Sequence, residues 1–345
     1  MLYKINTSKI MNFTGKIIDF KLSVVFASRG GNTHHLINIL WCLNKQSFQD
    51  FNVYAILDYP VYQKEYESVI STIIAKVSVS SEVISEWNGK RDKKYNIICN
   101  YNSKFSSLAW DSASYIRNYW LDLAAWEFIN FFDDDIIFND TYLQDSLNYR
   151  ESFRKQIWKD FVLTPTLMYR QTGQIQNQWF KRYVFRQSRP QVNFLKNKKH
   201  DFIQLYSWNS LLATSSLFKQ FRFDEDINFV GEDLDFTYTI HKAWYPILVL
   251  ADLKVYHMER DKSLLDHAWV GNPVSAYQKW KNRIIFVRKH GNFLQKFIFY
   301  TFSLWANNVW LIIKILRYAK RNQKRKLISS FLRWNRDWLF NYKKH

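Results

Sequence analysis

The sequence predicts an α/β fold, a mostly parallel sheet with helices on both faces, followed by a helical and strongly basic segment. Three observations predict it. Short apolar runs alternate with amphipathic stretches through the first half of the chain, the order that parallel strands joined by crossover helices require. Two of those runs end directly in aspartate, at Asp58 and Asp133, and ligands of such sheets bind outside the carboxyl ends of the strands. Beyond about residue 275 the apolar pattern becomes helical and cations accumulate.

Taken in order, Lys21–Ser28 (KLSVVFAS) is a short apolar run ending in small residues, hence a buried strand. Thr33–Lys45 carries Leu36, Ile39, Leu40 and Leu43 at helical spacing. Phe51–Leu57 and Tyr95–Cys99 read as strands, Ser106–Ala125 as a helix, and Glu127–Phe132 as a strand running straight into three aspartates. The second half is less regular. Phe161–Arg170, Ile203–Thr214 and Ile247–Val255 read as strands, the last leading to His257, and Asp233–Lys242 as a helix. The predicted organisation is a lead-in over residues 1–20, one α/β domain over 21–258, and a helical, basic region over 259–345.

A chain of 345 residues buries one large core. With 47% hydrophobic and 23% charged residues it has the balance of a globular protein rather than a disordered one. The formal charge of +19 narrows the partners to polyanions: nucleic acid, anionic lipid headgroups or phosphate-bearing small molecules. Aromatic residues make up 19%, which suits sugar faces, cores and membrane interfaces equally. Two cysteines, Cys42 and Cys99, with no Cys-x-x-Cys spacing, argue against a thiolate metal site and a disulfide framework. The first twenty residues lack an apolar run of signal-peptide length, so the expectation is a reducing, cytoplasmic setting.

The sharpest chemical feature is FFDDDIIF, with Asp133, Asp134 and Asp135 after an apolar strand. Adjacent carboxylates repel one another and are costly to gather without a cation. In extended backbone Asp133 and Asp135 point the same way, and two carboxylates on one side can hold a hard divalent ion that keeps positions open for diphosphate oxygens. An acidic loop or helix cap is the alternative. The prenyl-diphosphate pattern DDxxD does not fit, because Ile137 and Phe138 stand where Asp is needed. A second feature, GEDLDF, sets Glu232, Asp233 and Asp235 at a helix start. One acid suffices for a cap, and a carboxylate poised there could also take a proton from a hydroxyl. The third is His257, a structural histidine or the imidazole that completes a carboxylate site for a Mn-like ion.

The order of these elements resembles glycosyltransferase family 2, of the GT-A fold, over roughly residues 21–290. The resemblance rests on VVFASRGGN after the first strand, ILDYP with Asp58, SYIRNYWLDLAAWEFINFFDDDI with Arg117 and Asn118, LYSWNSLLATSSLFKQFRFDEDINFVGEDLDF, VYH ending in His257, and YQKWKNRIIFVRKHG. It implies a single in-line displacement that inverts the anomeric centre. Asp133, Asp135 and His257 would hold Mn2+ or Mg2+. Asp233 would be the general base, with Glu232 and Asn209 toward the acceptor, and Asp58, Arg29, Arg117, Asp133 and Asp134 toward the donor. The implied partners are a nucleotide sugar, UDP-linked by preference, and a glycan or polyprenyl-diphosphate-linked acceptor of lipid-linked or surface-polysaccharide synthesis. FFDDDI with the distal ED pair and His is also similar to galactofuranosyltransferases. There are departures from the pattern. Asp58 stands alone where two acids are usual, Trp244 replaces a Gly after the ED helix, and Lys281-Asn282-Arg283 alters an Arg-Asn pair. The Gln-x-x-Arg-Trp element of processive synthases is missing, which implies one sugar per encounter. The rival reading is an inactive relative of the fold that binds membrane or nucleic acid. A third reading is another metal-dependent phosphoryl-transfer enzyme using the same aspartates; against it, there is no Gly-rich phosphate loop, since Gly30-Gly31 has no Lys-Ser/Thr at the needed spacing.

From Lys296 the chain runs KFIFYTFSLWANNVWLIIKILRYAKRNQKRK. The apolar part, Phe297–Ile313, is short and polar for a span, which needs about 20 apolar residues. As a helix it places Lys296, Ser303, Asn307, Lys314, Arg317 and Arg321 along one stripe. The expectation is a helix in the membrane interface with Phe297, Tyr300, Leu304, Leu311 and Ile315 inserted. Lys320, Arg321, Lys324, Arg325 and Lys326 would meet anionic headgroups. A core-packing helix with a solvated basic end is the alternative. No nucleic-acid module accompanies the charge, so no nucleic-acid partner is expected, and the chain is placed peripherally on the inner face of the cell membrane.

Overall fold

The computed structural model describes residues 21–28, 33–58, 82–84, 95–100, 113–124, 126–183, 186–191, 195, 197–206, 210–227, 231–258, 273–318, 324–329 and 331–333. Arg29, Asn209 and the lead-in over residues 1–20 lie outside them, as does the predicted boundary near 259. The strands are β1 (Leu22–Ser28), β2 (Phe51–Asp58), β3 (Glu82–Ile84), β4 (Tyr95–Asn100), β5 (Phe128–Asp133), β6 (Ile136–Ile137), β7 (Val162–Tyr169), β8 (Ile175–Asn177), β9 (Trp179–Tyr183), β10 (Arg186–Gln191), β11 (His200–Ile203), β12 (Ser210–Thr214) and β13 (Ile247–His257). The helices are α1 (Thr33–Asn44), α2 (Ala113–Leu123), α3 (Tyr142–Arg154), α4 (Ser215–Gln220), α5 (Glu232–Lys242), α6 (Pro273–His290), α7 (Phe293–Ile298) and α8 (Leu304–Tyr318).

The central sheet runs β11-β13-β7-β12-β5-β1-β2-β4-β3. Its amino-terminal half, from β5 to β3, is all parallel. The other half is mixed, with β12 antiparallel to both β5 and β7. Period-two alternation assigns side chains to two cores. Val24, Phe26, Phe128 and Phe132 face the helices α1 and α3, whereas Val25, Ile129 and Phe131 face α2, α4 and α5. Helices therefore cover both faces, as the sequence predicts, and β5 is covered on both sides along nearly its whole length. Its run FINFF is apolar at almost every position for that reason. The exception is Asn130, whose Oδ1 accepts a hydrogen bond from Ser210 Oγ at 3.0 Å.

Three local readings change. Ile203–Thr214 is not one strand. The chain leaves the sheet after β11, and Tyr206 is fully buried with its hydroxyl donating to Pro165 O at 2.6 Å. A run that plugs a core is as apolar as a run that crosses a sheet, so periodicity alone could not separate them. The helix α3 escapes sequence reading because its buried face includes Arg150, which pairs with Asp160 and donates to Phe161 O at 2.6 Å. The hairpin of β9 and β10 is equally obscured by its polar composition.

Two backbone positions explain features of the sequence. Gly231, at φ 96°, starts α5 in the left-handed region that glycine enters most freely. Trp244, at φ 65°, occupies the same region just past the end of α5 and is 75% exposed. This is where the resembling family carries Gly, and the geometry accounts for that preference. Trp244→Gly is expected to raise stability by up to about 1 kcal/mol by relieving the left-handed strain. The check is chemical denaturation; an unchanged or lower midpoint would refute it.

The carboxyl-terminal helices make a core of their own from Ile284, Val287, Phe299, Leu304, Ile315, Leu327 and Phe331. The turn between α6 and α7 needs Gly291, where a Cβ would meet Val287 O at 2.6 Å. Asn292 then opens α7 with a reciprocal capping box to Gln295. A π-helical turn, Phe299–Ser303, joins α7 to α8. The stretch Phe293–Arg317 is 25 residues long and apolar enough by length and composition to cross a membrane, but only by those measures. The predicted inserting face is corrected. Leu304 and Ile315 are buried in the helical core, and Tyr300 packs against it, while the side chain of Leu311 and residues Lys320 and Arg321 lie outside the described set. A helix apolar around most of its circumference offers two candidate inward faces, and contact with Ile284 and Val287 chooses between them.

Candidate active site

The site forms where β5 and β13 end. After Asp133 the chain turns through Asp134 and Asp135 into the two-residue strand β6, which pairs antiparallel with the end of β13 so that His257 faces Ile136. Met258 N donates to Asp135 O at 2.7 Å and locks the turn. This register brings His257 Nε2 to 2.9 Å from Asp135 Oδ2. The two residues are 122 positions apart in sequence. On the other side α2 presents Arg117, whose Nη1 donates to Glu232 Oε1 at 2.7 Å and whose Nη2 lies 3.7 Å from Asp133 Oδ1. Arg117 thus ties the first turn of α5 to the end of β5.

The electrostatics are strained in the sense that favours a cation. Burial, together with the carboxylates of Asp135, Asp134 and Asp233, pushes the Asp133 carboxyl well above the usual range, against the pull of Arg117. Burial also pushes Asp135 upward, but the hydrogen bond and charge of His257, with His35, outweigh it and hold Asp135 below its ordinary value. Burial would lower the Arg117 pKa, yet Glu232 and Asp133 hold it raised. Asp133 and Asp135 each keep about a third of the side chain open, at 31% and 30%. Asp135 Oδ1, however, is buried without a hydrogen-bond partner among the described residues. An orphaned carboxylate oxygen beside an imidazole is a donor set that suits a hard or borderline divalent ion. Among the described residues no three His, Cys, Asp or Glu side chains are already gathered around one point. Asp135 and His257 form a pair, and Asp133 is turned toward Arg117.

Of the three acids at the start of α5, the structure gives each a different place. Glu232 is buried, with Oε1 on Arg117 and Oε2 without a partner among the described residues. Asp233 is half-buried, and its charge is felt at both Asp133 and Arg117. Asp235 turns away into the interior, 1% exposed, where Lys289 Nζ and His290 Nε2 of α6 reach it at 2.7 and 2.6 Å. Its role is to fasten α5 to α6. Asp235→Ala is expected to cost about 2 kcal/mol, since it leaves the buried His290 Nε2 without the carboxylate it meets, while the exposed Lys289 keeps its bond to Asp224. Denaturation of the folded variant measures this, and a loss under about 1 kcal/mol, the scale of a surface pair, would refute it.

Asp58 closes β2 at the same edge of the sheet, opposite Asn100 of β4. Asn118 serves structure. It donates to Phe223 O at 3.0 Å and accepts from Phe223 N at 2.8 Å, which fixes the segment leading to α5. Sequence reasoning passed over His35, in the first turn of α1, whose charge helps hold Asp135 ionised. The available signal was its place a few residues after the end of β1 in the sequence.

No protein family and no curated protein sequence matches the chain. Among solved structures, S. aureus TarS 1–349 in complex with UDP-GlcNAc matches with a TM-score of 0.52 and 16% identity, covering 92% of this chain and 81% of that one. A second S. aureus TarS structure matches with a TM-score of 0.46 and 15% identity, covering 92% and 55% respectively. The first likeness shows a shared fold.

Proposed function

We propose that the chain is an inverting, metal-dependent glycosyltransferase of the family 2 kind. It would take a sugar from a UDP-linked donor and pass it, one per encounter, to a glycan or polyprenyl-diphosphate-linked acceptor. The observation that carries this reading is the Asp135–His257 contact at the strand ends, with Asp135 Oδ1 left without a partner among the described residues and Asp233 within electrostatic reach. The TarS structure that shares the fold holds UDP-GlcNAc, which supports a nucleotide-sugar donor here.

Asp135 and His257 would hold Mn2+ or Mg2+, with Asp133 beside them. When bound, that ion neutralises charge on the departing nucleoside diphosphate. The residues of the chain do the rest. Asp233 takes the proton of the acceptor hydroxyl as its oxygen forms the new bond to the anomeric carbon and the bond to the diphosphate breaks. Glu232, with one oxygen fixed by Arg117 and the other without a partner among the described residues, orients the acceptor. Asp58, at the end of β2, lies on the edge where the nucleoside would sit.

The test is a panel of nucleotide sugars, galactofuranose and N-acetylglucosamine donors included, scored for hydrolysis and transfer with Mn2+, with Mg2+ and with chelator. One donor turned over only with metal is the expected result. Turnover of none, with nucleotide binding also missing, would overturn the reading.

A further inference from the structure

We infer that the outward stripe of α7 and α8 docks the chain on an anionic lipid surface. This goes beyond the catalytic reading and does not depend on it. One face of α8 is committed to the helical core through Leu304 and Ile315. The face turned away carries Trp305, Val309, Ile313 and Leu316, continued by Phe302 of the π-helical turn, each more than half exposed. On α7, Phe293, Leu294 and Phe297 are likewise exposed. Solvent-facing helix surfaces are ordinarily polar, and a contiguous apolar one marks a surface that something covers.

The charge around the stripe identifies the occupant. From His267 to Arg336 the sequence holds no Asp or Glu. Arg325, Lys326 and Arg333 are exposed beyond the end of α8, and Lys324 Nζ donates to Leu316 O at 2.7 Å, which sets a cation at the end of the stripe. A second copy would bring like charge against like charge. An acidic lipid surface satisfies both features at once: headgroups for the cations, acyl chains for the aliphatic and Phe side chains, and the boundary between them for Trp305 and Trp310. A crossing helix would have to give up the packed face, where Ser303 and Asn308 are buried with Leu304. A helix lying in the interface keeps it.

The experiment is sedimentation of the full chain with vesicles of mixed phosphatidylglycerol and phosphatidylcholine, and with vesicles of phosphatidylcholine alone. The chain is expected to pellet with the mixed vesicles and to be released in large part by high salt. Trp305→Glu with Val309→Glu, both on the exposed face, should abolish pelleting while circular dichroism stays unchanged. Arg325→Ala with Lys326→Ala should weaken partition by on the order of twentyfold, at about fivefold per cation. Four results would overturn the inference. The chain could stay in the supernatant with the mixed vesicles. It could bind them equally after both pairs of substitutions. It could prove to be a dimer that the Glu pair dissociates, with no vesicle binding, in which case a second copy covers the stripe. Resistance to salt and alkali with release by detergent alone would identify a crossing helix and overturn it too. Each readout is independent of sugar transfer, so failure of the catalytic reading leaves it intact.

Discussion

Asp135→Asn should abolish metal-dependent donor turnover and leave the fold intact. The amide has the shape of the carboxylate and can still meet His257, which lies 2.9 Å from Oδ2, so the turn between β5 and β6 loses little. The backbone bond from Met258 N to Asp135 O that closes this turn is untouched. What disappears is the charge at a buried oxygen that has no other partner among the described residues. Weakening a residue that merely supports a metal ligand costs about 10- to 100-fold in affinity, so removing a ligand's charge should cost at least that. Mn2+ binding, followed by calorimetry or by the spectrum of the ion, should fall together with turnover. A folded Asp135→Asn variant that binds Mn2+ and turns over donor as the wild type does would sink the assignment.

The parts of this site that the sequence discloses are those carried by single elements. The strand β5 is buried on both faces, so its apolar run and the point where acids begin are both visible in one stretch of text. The three acids of α5 are visible as a group, but not their separate fates. Which acid is buried under α6 depends on Lys289 and His290, 54 and 55 residues away. The tie from Arg117 to Glu232 spans 115 positions and joins two helices whose packing no local pattern encodes. His257 is an intermediate case. Its place after β13 is legible, but its meeting with Asp135 depends on the pairing of a strand only two residues long. The carboxyl-terminal helix fails for a different reason. With apolar residues around most of its circumference, the sequence says that it packs and that it is exposed without saying which face does which.

Asp233→Asn is the substitution that separates the general-base reading from a structural or donor-binding one. Asp233 stands in the first turn of α5, where a carboxylate is favoured by the helix dipole. Capping alone does not account for its position, because its charge is registered at Asp133 and Arg117 across the site. Its Oδ1 accepts from its neighbour, Leu234 N, at 2.7 Å, a contact an amide oxygen reproduces. The helix should therefore keep its start, its pins to α6 through Asp235 and its tie through Glu232 to Arg117. Removing a base from its proton should lower transfer by roughly a hundredfold or more, the usual scale of general-base catalysis. Nucleotide binding should hold, since the groups assigned to the diphosphate and the ion are unaltered. Steady-state transfer measured beside nucleotide titration distinguishes the cases. If transfer falls while nucleotide affinity stays within about twofold, Asp233 acts on the acceptor hydroxyl. If both fall together, Asp233 belongs to the donor or to the fold, and the proton must leave by another group.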